Sequence, residues 1–232
     1  EYAKAHREEL ERVYGLLADD HSRKVLRDVV EYKLTGDIKL LRGCESEPRE
    51  AWESILRPGK EEHYMDLGAY TGDTIAEFIG YAGEWRRITA LEPDPVTFAK
   101  LERNTAGLHD CILYRLGAYS RYARLPFAGG AGRGSHLAAG GAMTELDSVD
   151  NILCGQTVSL INMDVEGMEA EAIAGMAKTL RRHRPKLLIA GYHRSEDLWR
   201  LPLEVLAIQP EYKVYVRHYP CLPAWDVNFY FV

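Results

Sequence analysis

Tyr64-Met65-Asp66-Leu67-Gly68-Ala69-Tyr70-Thr71-Gly72-Asp73-Thr74 decides the fold of this chain. Its apolar start reads as a buried strand, its glycines as a turn, and its end as the first turn of a helix. One helix later comes Ala90-Leu91-Glu92-Pro93-Asp94, a second apolar run ending on an acid. Strand, glycine turn, helix and acidic strand end together make half of a nucleotide-binding α/β fold. Glycines let the backbone approach a ligand closely, and a carboxylate at the end of the second strand suits a ribose diol.

The glycine spacing narrows the ligand. Gly68-x-x-x-Gly72 is not the Gly-x-Gly-x-x-Gly of dinucleotide sites. The departure favours S-adenosylmethionine, which has no pyrophosphate to cradle, over NAD.

Outward from this stretch, strand and helix alternate from residue 60. The pattern predicts strands over His63–Leu67, Arg87–Leu91, Cys111–Leu116, Val158–Met163 and Lys186–Ala190. It predicts helices over Thr74–Tyr81, Pro95–Asn104 and Glu169–Arg182. Val158–Met163 is a continuous apolar run suited to a central parallel strand. Tyr212–Val216 and Val227–Val232 close the chain with no helix between them, so they should pair antiparallel. An α/β array closed by such a hairpin describes the class I methyltransferase variant of the doubly wound sheet: Rossmann-like and mostly parallel. Residues 117 to 147 interrupt the rhythm, and Phe127 to Ser135 is either a hairpin loop or an active-site flap.

Residues 1–58 read as a helical cap or lid, or as a plain packing extension, and 59–232 as the Rossmann-like domain. Leu10, Val13, Tyr14 and Leu17 form one helical stripe. Ser22 can cap a second helix carrying Val25, Leu26, Val29 and Val30, with Gly36 as its stop. Arg57-Pro58-Gly59-Lys60 marks the junction.

Composition bounds the function. A chain of 232 residues buries one good core. A net charge of -6 argues against a dedicated nucleic-acid binder, which needs a basic field. No run of 18 apolar residues suggests a membrane span. The opening Glu1-Tyr2-Ala3-Lys4 shows no secretory leader, although the lack of an initiator Met leaves a trimmed start open. Cys44, Cys111, Cys154 and Cys221 lie far apart without a Cys-x-x-Cys pair, and a cytoplasmic location with reduced thiols is the simplest reading. Oligomeric state is not legible.

Ligands of open α/β sheets bind at the carboxyl ends of the strands. That rule selects Asp66 and Gly68, Glu92, Gly117 and Ala118, Asp164 and Glu166, and Tyr192 and His193. Glu92 is placed to accept from both ribose hydroxyls; the competing reading is a helix N-terminal charge before Pro93. Asp66 either meets a methionine amino group or braces the glycine turn. Asp73 either lines the site or caps its helix. Asp164 and Glu166, leaving a buried strand, are costly without a partner or a function. They could hold a metal, orient a substrate hydroxyl or cap the next helix. His193 is the best proton acceptor on the rim. His63, His109, His136, His183 and His218 have weaker positions.

The strings YMDLGAYTGDT, ALEPD, LGAYS, LDSVD, INMDVEGMEAEAI, LIAGYHRSEDLW and YKVYVRHY resemble the FkbM-type S-adenosylmethionine-dependent methyltransferases, in unbroken order over roughly residues 60–232. The resemblance implies O-methylation of a hydroxyl on a small molecule such as a sugar or polyketide. It implies that Asp66, Gly68 and Gly72, with Ala69 and Asp73 in the same turn, line the methionine moiety. Glu92 would hold the ribose, and Gly117 and Ala118 would flank the adenine. Asp164 and Glu166 match the rim at which some similar enzymes hold a divalent metal, with no third ligand evident. His193 is then the catalytic base, with Asp164 or Glu166 orienting or ligating. An NAD-dependent oxidoreductase and a non-catalytic cofactor-binding module are the alternatives on the same fold. An RNA methyltransferase is the least favoured.

Overall fold

The computed structural model describes residues 2–128, 136–137, 141–221 and 226–232. The expected loop or flap at Phe127 to Ser135 therefore lies, from residue 129 onward, outside the described residues. The chain divides into two compact units: Arg57–Lys186, and Glu1–Leu56 together with Leu187–Val232.

The N-terminal segment is helical: α1 (Tyr2–Ala5), α2 (Arg7–Leu16), α3 (Asp20–Thr35), α4 (Ile38–Gly43), α5 (Pro48–Glu50) and a π-helical turn over Ala51–Leu56. Asp19 caps α3, its carboxylate accepting from the Ser22 amide at 2.7 Å. Gly36 ends the helix in the left-handed conformation, φ 75°, its amide donating to the Tyr32 carbonyl. The cap is thus Asp19, not Ser22. Ser22 sits inside the first turn, buried, where its hydroxyl oxygen accepts from the Val216 amide at 3.1 Å. The expected α2 stripe is also cut short. Val13 is buried, Tyr14 is exposed, and Leu17 leaves the helix to bridge Val214.

The Arg57–Lys186 unit alternates β1 (His63–Leu67), α6 (Asp73–Ala82), β2 (Arg87–Leu91), α7 (Pro95–Thr105) and β3 (Cys111–Tyr114). Then come β4 (Gly117–Ala118), β5 (Ala123–Ala128), β6 (His136–Leu137), β7 (Ala142–Asp147), α8 (Val149–Leu153), β8 (Leu160–Met163), α9 (Glu169–Gly175) and α10 (Ala177–His183). The order β8-β1-β2-β3 is parallel throughout. β1 and β8 are buried along their whole length, as central parallel strands are, and the polar residues they carry, such as Asp66 and Asn162, bond to one another. Leu67 pairs with Leu91 on one side and Met163 on the other, so three strands end in one row. The interrupted region, 117 to 147, builds a second small sheet, β4-β7-β5-β6. The expected helix over 169–182 is two helices. Met176 breaks it with φ -113° and ψ 12°, beside Gly175, where a Cβ would lie 2.0 Å from the Tyr119 carbonyl oxygen.

The rest of the chain is β9 (Lys186–Ala190), α11 (Asp197–Ile208), β10 (Val214–His218) and β11 (Val227–Phe231). β10 and β11 form the expected antiparallel hairpin, and β11 also pairs antiparallel with β9. With these strands the main sheet has seven members and is mostly parallel, the class I methyltransferase architecture.

The N-terminal helices and the hairpin share one clasp. Arg217, 2 % exposed, lies on β10. It donates two bonds to Glu50 at 2.8 and 3.0 Å and two to Asp19 at 2.8 and 3.4 Å. It also donates to the Ser22 hydroxyl and the Val216 carbonyl. A guanidinium suits this role because its planar fork meets carboxylates bidentately. Burial pushes Asp19 up, but bonds from Arg217 and Ser22 outweigh it and hold the carboxyl at about 2.

Candidate active site

The row in which β1, β2 and β8 end is followed by Gly68, Glu92 and Asp164, and here the cleft opens. The amides of Gly68 and Ala69 both donate to the Leu91 carbonyl, at 3.0 and 2.9 Å, turning the chain sharply off β1. Gly68 has φ +86°, and a Cβ there would lie 1.9 Å from the Asp164 carbonyl oxygen. Its neighbour, the end of β8, demands the glycine before any ligand does. Tyr70 is left-handed at φ 47°, and Gly72 at φ +90° leads into α6. A Cβ on Gly72 would meet Leu101, so this glycine faces α7.

Glu92 is buried, and each of its oxygens holds one backbone amide: Tyr70 N at 3.0 Å and Asp94 N at 2.8 Å. The capping role that competed for Glu92 belongs to Asp94, which accepts from Val96 N and Thr97 N at the start of α7. Burial pushes the Glu92 carboxyl up to about 7 against the pull of the two amides. Each oxygen keeps a lone pair in addition to its amide bond.

The cleft contains about 830 Å³ of space, including that open to solvent. Gly68, Asp73, Glu92, Gly117, Ala118, Asp164 and Glu166, all singled out from sequence, line it. Pro93 and Leu146 join Gly117 and Ala118 to give it an apolar end, and Tyr70, Thr74, Val165 and Met168 complete the wall. Asp66, Ala69 and Gly72 do not line it. Asp66 and Ala69 are fully buried beneath. Asp66 accepts from Thr74 Oγ1, from Asn162 Nδ2 at 2.8 Å and from Tyr64 Oη at 3.3 Å. Burial lifts its carboxyl to about 6, with the Thr74 and Asn162 bonds opposing.

The loop after β8 takes two consecutive left-handed residues, Glu166 at φ 54° and Gly167 at φ 91°. Glu169, 1 % exposed, holds it in shape by accepting from Val165 N at 3.2 Å and Gly167 N at 3.3 Å. Sequence reasoning did not single out Thr74 or Glu169. The one signal available was an acid three residues after Glu166 at a helix start. The charged side chains lining the cleft are Asp73, Glu92, Asp164 and Glu166, with no basic side chain among the lining residues described. This wall favours a ligand carrying positive charge.

His193 follows β9 in the other unit, its ring tilted 41° against Tyr192 with centroids 4.3 Å apart. His63 is bonded to the Thr157 carbonyl and Thr89 hydroxyl at the start of β1, the end of the strand away from the cleft. His109 packs edge-on against Trp85, and His218 is buried in β10.

A mostly parallel sheet closed by an antiparallel hairpin, with a cleft at the strand ends and an acid after β2, matches the class I methyltransferase fold. The chain belongs to the FkbM methyltransferase domain family, whose model matches residues 66–215. The methyltransferase FkbM of Methylobacillus flagellatus KT is similar with a TM-score of 0.87 and 27% identity, over 99% of this chain and 60% of that one. This chain thus spans about 60% of that protein's length. Aeropyrum pernix fibrillarin, solved with natively bound S-adenosyl-L-methionine, matches with a TM-score of 0.51 and 13% identity over 79% of this chain and 71% of that one. An rRNA methylase from Streptococcus thermophilus matches with a TM-score of 0.53 and 12% identity over 80% of this chain and 96% of that one. These two share the fold alone. No curated protein matches the sequence. Among the described residues no helix is long and apolar enough to cross a membrane.

Proposed function

We propose that the protein is an S-adenosylmethionine-dependent O-methyltransferase acting on a hydroxyl of a small molecule such as a sugar or natural product. The observation that carries this reading is Glu92. It is a buried carboxylate that keeps a lone pair on each oxygen, in an acid-lined cleft of a chain of the FkbM family. A ribose diol offers two donors for those lone pairs, and the acidic wall suits a sulfonium and an ammonium. Pro93, Gly117, Ala118 and Leu146 offer the adenine an apolar slot.

When bound, S-adenosylmethionine supplies an electrophilic methyl group. The protein aligns the acceptor hydroxyl with it, excludes water and removes the hydroxyl proton. Alignment of this kind is worth roughly 7–11 kcal/mol. His193 is the proposed base, which takes the hydroxyl proton as the oxygen gains the methyl group. Asp164 and Glu166 are proposed to orient that hydroxyl or to hold a divalent metal that does so. Residues 1–58 are the proposed cap shaping access for the acceptor. The test has two parts, the first being calorimetric binding of S-adenosylhomocysteine. The second is transfer of label from methyl-labelled cofactor to a panel of sugar and phenolic acceptors. No binding overturns the cofactor reading. Binding, with transfer only to nitrogen or carbon acceptors, overturns O-methylation.

A further inference from the structure

His218 plays no part in the chemistry at the cleft, yet its setting is unusual. It closes β10 and is 1% exposed, and neither of its ring nitrogens has a hydrogen-bond partner. Buried polar groups are normally paired, so an orphaned imidazole marks a strained or functional position. Its backbone, in contrast, is held on both sides. It pairs with Val227 of β11 on one edge and bridges Glu45 on the other. The Ser46 amide donates to the His218 carbonyl at 2.8 Å, and the Ser46 hydroxyl meets the His21 ring at 2.8 Å. His218 thus ends a seam along which β10 holds the N-terminal segment. The seam begins where the Ala18 amide donates to the Val214 carbonyl at 2.8 Å, and it runs through Ser22 and the Arg217 clasp.

The clasp keeps its charges near neutrality. Burial opposes the Arg217 charge, but the bonds to Glu50 and Asp19 outweigh it, and Asp19 titrates at about 2. The histidines are the groups that change. Burial lowers the pKa of His218 from its ordinary 6.5, with the Cys221 main chain, Glu45 and Asp226 opposing in part. Glu45 is exposed between α4 and α5, and Asp226, before β11, accepts from Asn228 at 2.8 Å. The Cys221 main chain lies near, but neither it nor either carboxylate completes a bond to the ring. From α3, His21 reaches the same Ser46, and burial and Arg217 lower its pKa against Asp19 and Glu50. A proton on a sealed ring without a partner is unfavourable, and the ring accepts it readily only where water can reach it. We propose that His218 is an acid-sensitive latch, which holds the N-terminal segment on β10 while neutral and releases it on taking up a proton. The closed seam binds the proton more weakly than the open one. The contribution of His218 is therefore fully present above about 6.5 and lost as pH falls through the lower value of the closed seam. The inference is independent of the methyl-transfer reading.

Amide hydrogen exchange on the whole chain, corrected for the intrinsic rate at each pH, tests the latch. The amides of Ala18, Ser46 and Val216 donate across the seam and report its opening. A ring with the ordinary value when open, and neutral when closed, raises the opening equilibrium by at most about thirtyfold between pH 7.5 and pH 5. In the wild type the three amides should open at least about fivefold more at pH 5, while those of β1 should not share the rise. His218→Leu should lose most of the rise, and His21→Asn should keep most of it. The proposal is overturned by a wild type without the rise, or by a rise that β1 shares. It is equally overturned if the rise survives in His218→Leu or disappears instead in His21→Asn. If His218→Leu does not fold, NMR titration of the wild-type ring decides. A His218 ring that stays neutral down to pH 5.5 supports the latch, and one that titrates near 6.5 overturns it.

Discussion

Cofactor affinity should fall about tenfold between pH 8 and pH 6, and Glu92 should be the cause. Burial lifts its carboxyl to about 7, and the Tyr70 and Asp94 amides only partly offset this. A ribose diol donates to the carboxylate, so the ionised form is the one that binds. With a pKa of about 7, about nine-tenths of the protein is competent at pH 8, half at pH 7 and one-tenth at pH 6. The ratio between the ends is about tenfold, or about 1.4 kcal/mol. Binding at pH 7 should release about half a proton, readable by calorimetry in two buffers of different ionisation enthalpy. Asp66, at about 6, adds at most about twofold at the acid end. Glu92→Gln should bind weakly at pH 8 and show a nearly flat profile. A flat wild-type profile, or the same tenfold fall in Glu92→Gln, refutes the reasoning. Stability without ligand runs in the opposite sense. The folded state holds the Glu92 proton more tightly than the unfolded chain, whose value is near 4.5. This contribution is therefore present below about 4.5 and lost as pH rises through about 7.

Three further outcomes follow from particular residues. Arg217→Met should destabilise the protein by about 3 kcal/mol, the lower end for a broken buried pair because Asp19 and Glu50 stay partly hydrated. Urea unfolding that shows less than about 1 kcal/mol would remove the clasp from the stability account. Gly68→Ala forces a Cβ to within 1.9 Å of the Asp164 carbonyl at a positive φ. It should cost at least about 2 kcal/mol and abolish S-adenosylhomocysteine binding, and a wild-type melting curve would contradict this. His193→Ala should depress turnover by about 10²-fold or more while leaving S-adenosylhomocysteine affinity within about twofold. Unchanged turnover would sink the base assignment.

Much of the sheet is legible in the chain because its buried strands are short apolar runs between turn residues. His63–Leu67, Arg87–Leu91 and Lys186–Ala190 are read from sequence with the bounds the structure gives. The closing hairpin was equally readable, since two β segments with no helix between them have only a short way to return. Elements that depend on distant partners were not legible. The small sheet of β4 to β7 arises from pairings such as Gly117 with Leu146, which no local period reports. The break at Met176 accompanies the close approach of Gly175 to Tyr119. Helix α11 carries Pro202 inside it, which masks the helical signal.

By itself, the sequence determined the fold class, the strand ends at which a ligand would sit, and Glu92 as the acid beyond β2. Apolar period, glycine and proline act locally, so they can be read without coordinates. Only the tertiary structure decided what each candidate faces. Gly68 answers to the end of β8, Gly72 to α7, and Asp66 to Thr74 and Asn162 instead of the cleft. Strand register made those choices. Pairing Leu67 with both Leu91 and Met163 sets the register in which Gly68, Glu92 and Asp164, already selected by the strand-end rule, share one rim, and it decides which neighbour each of them meets there.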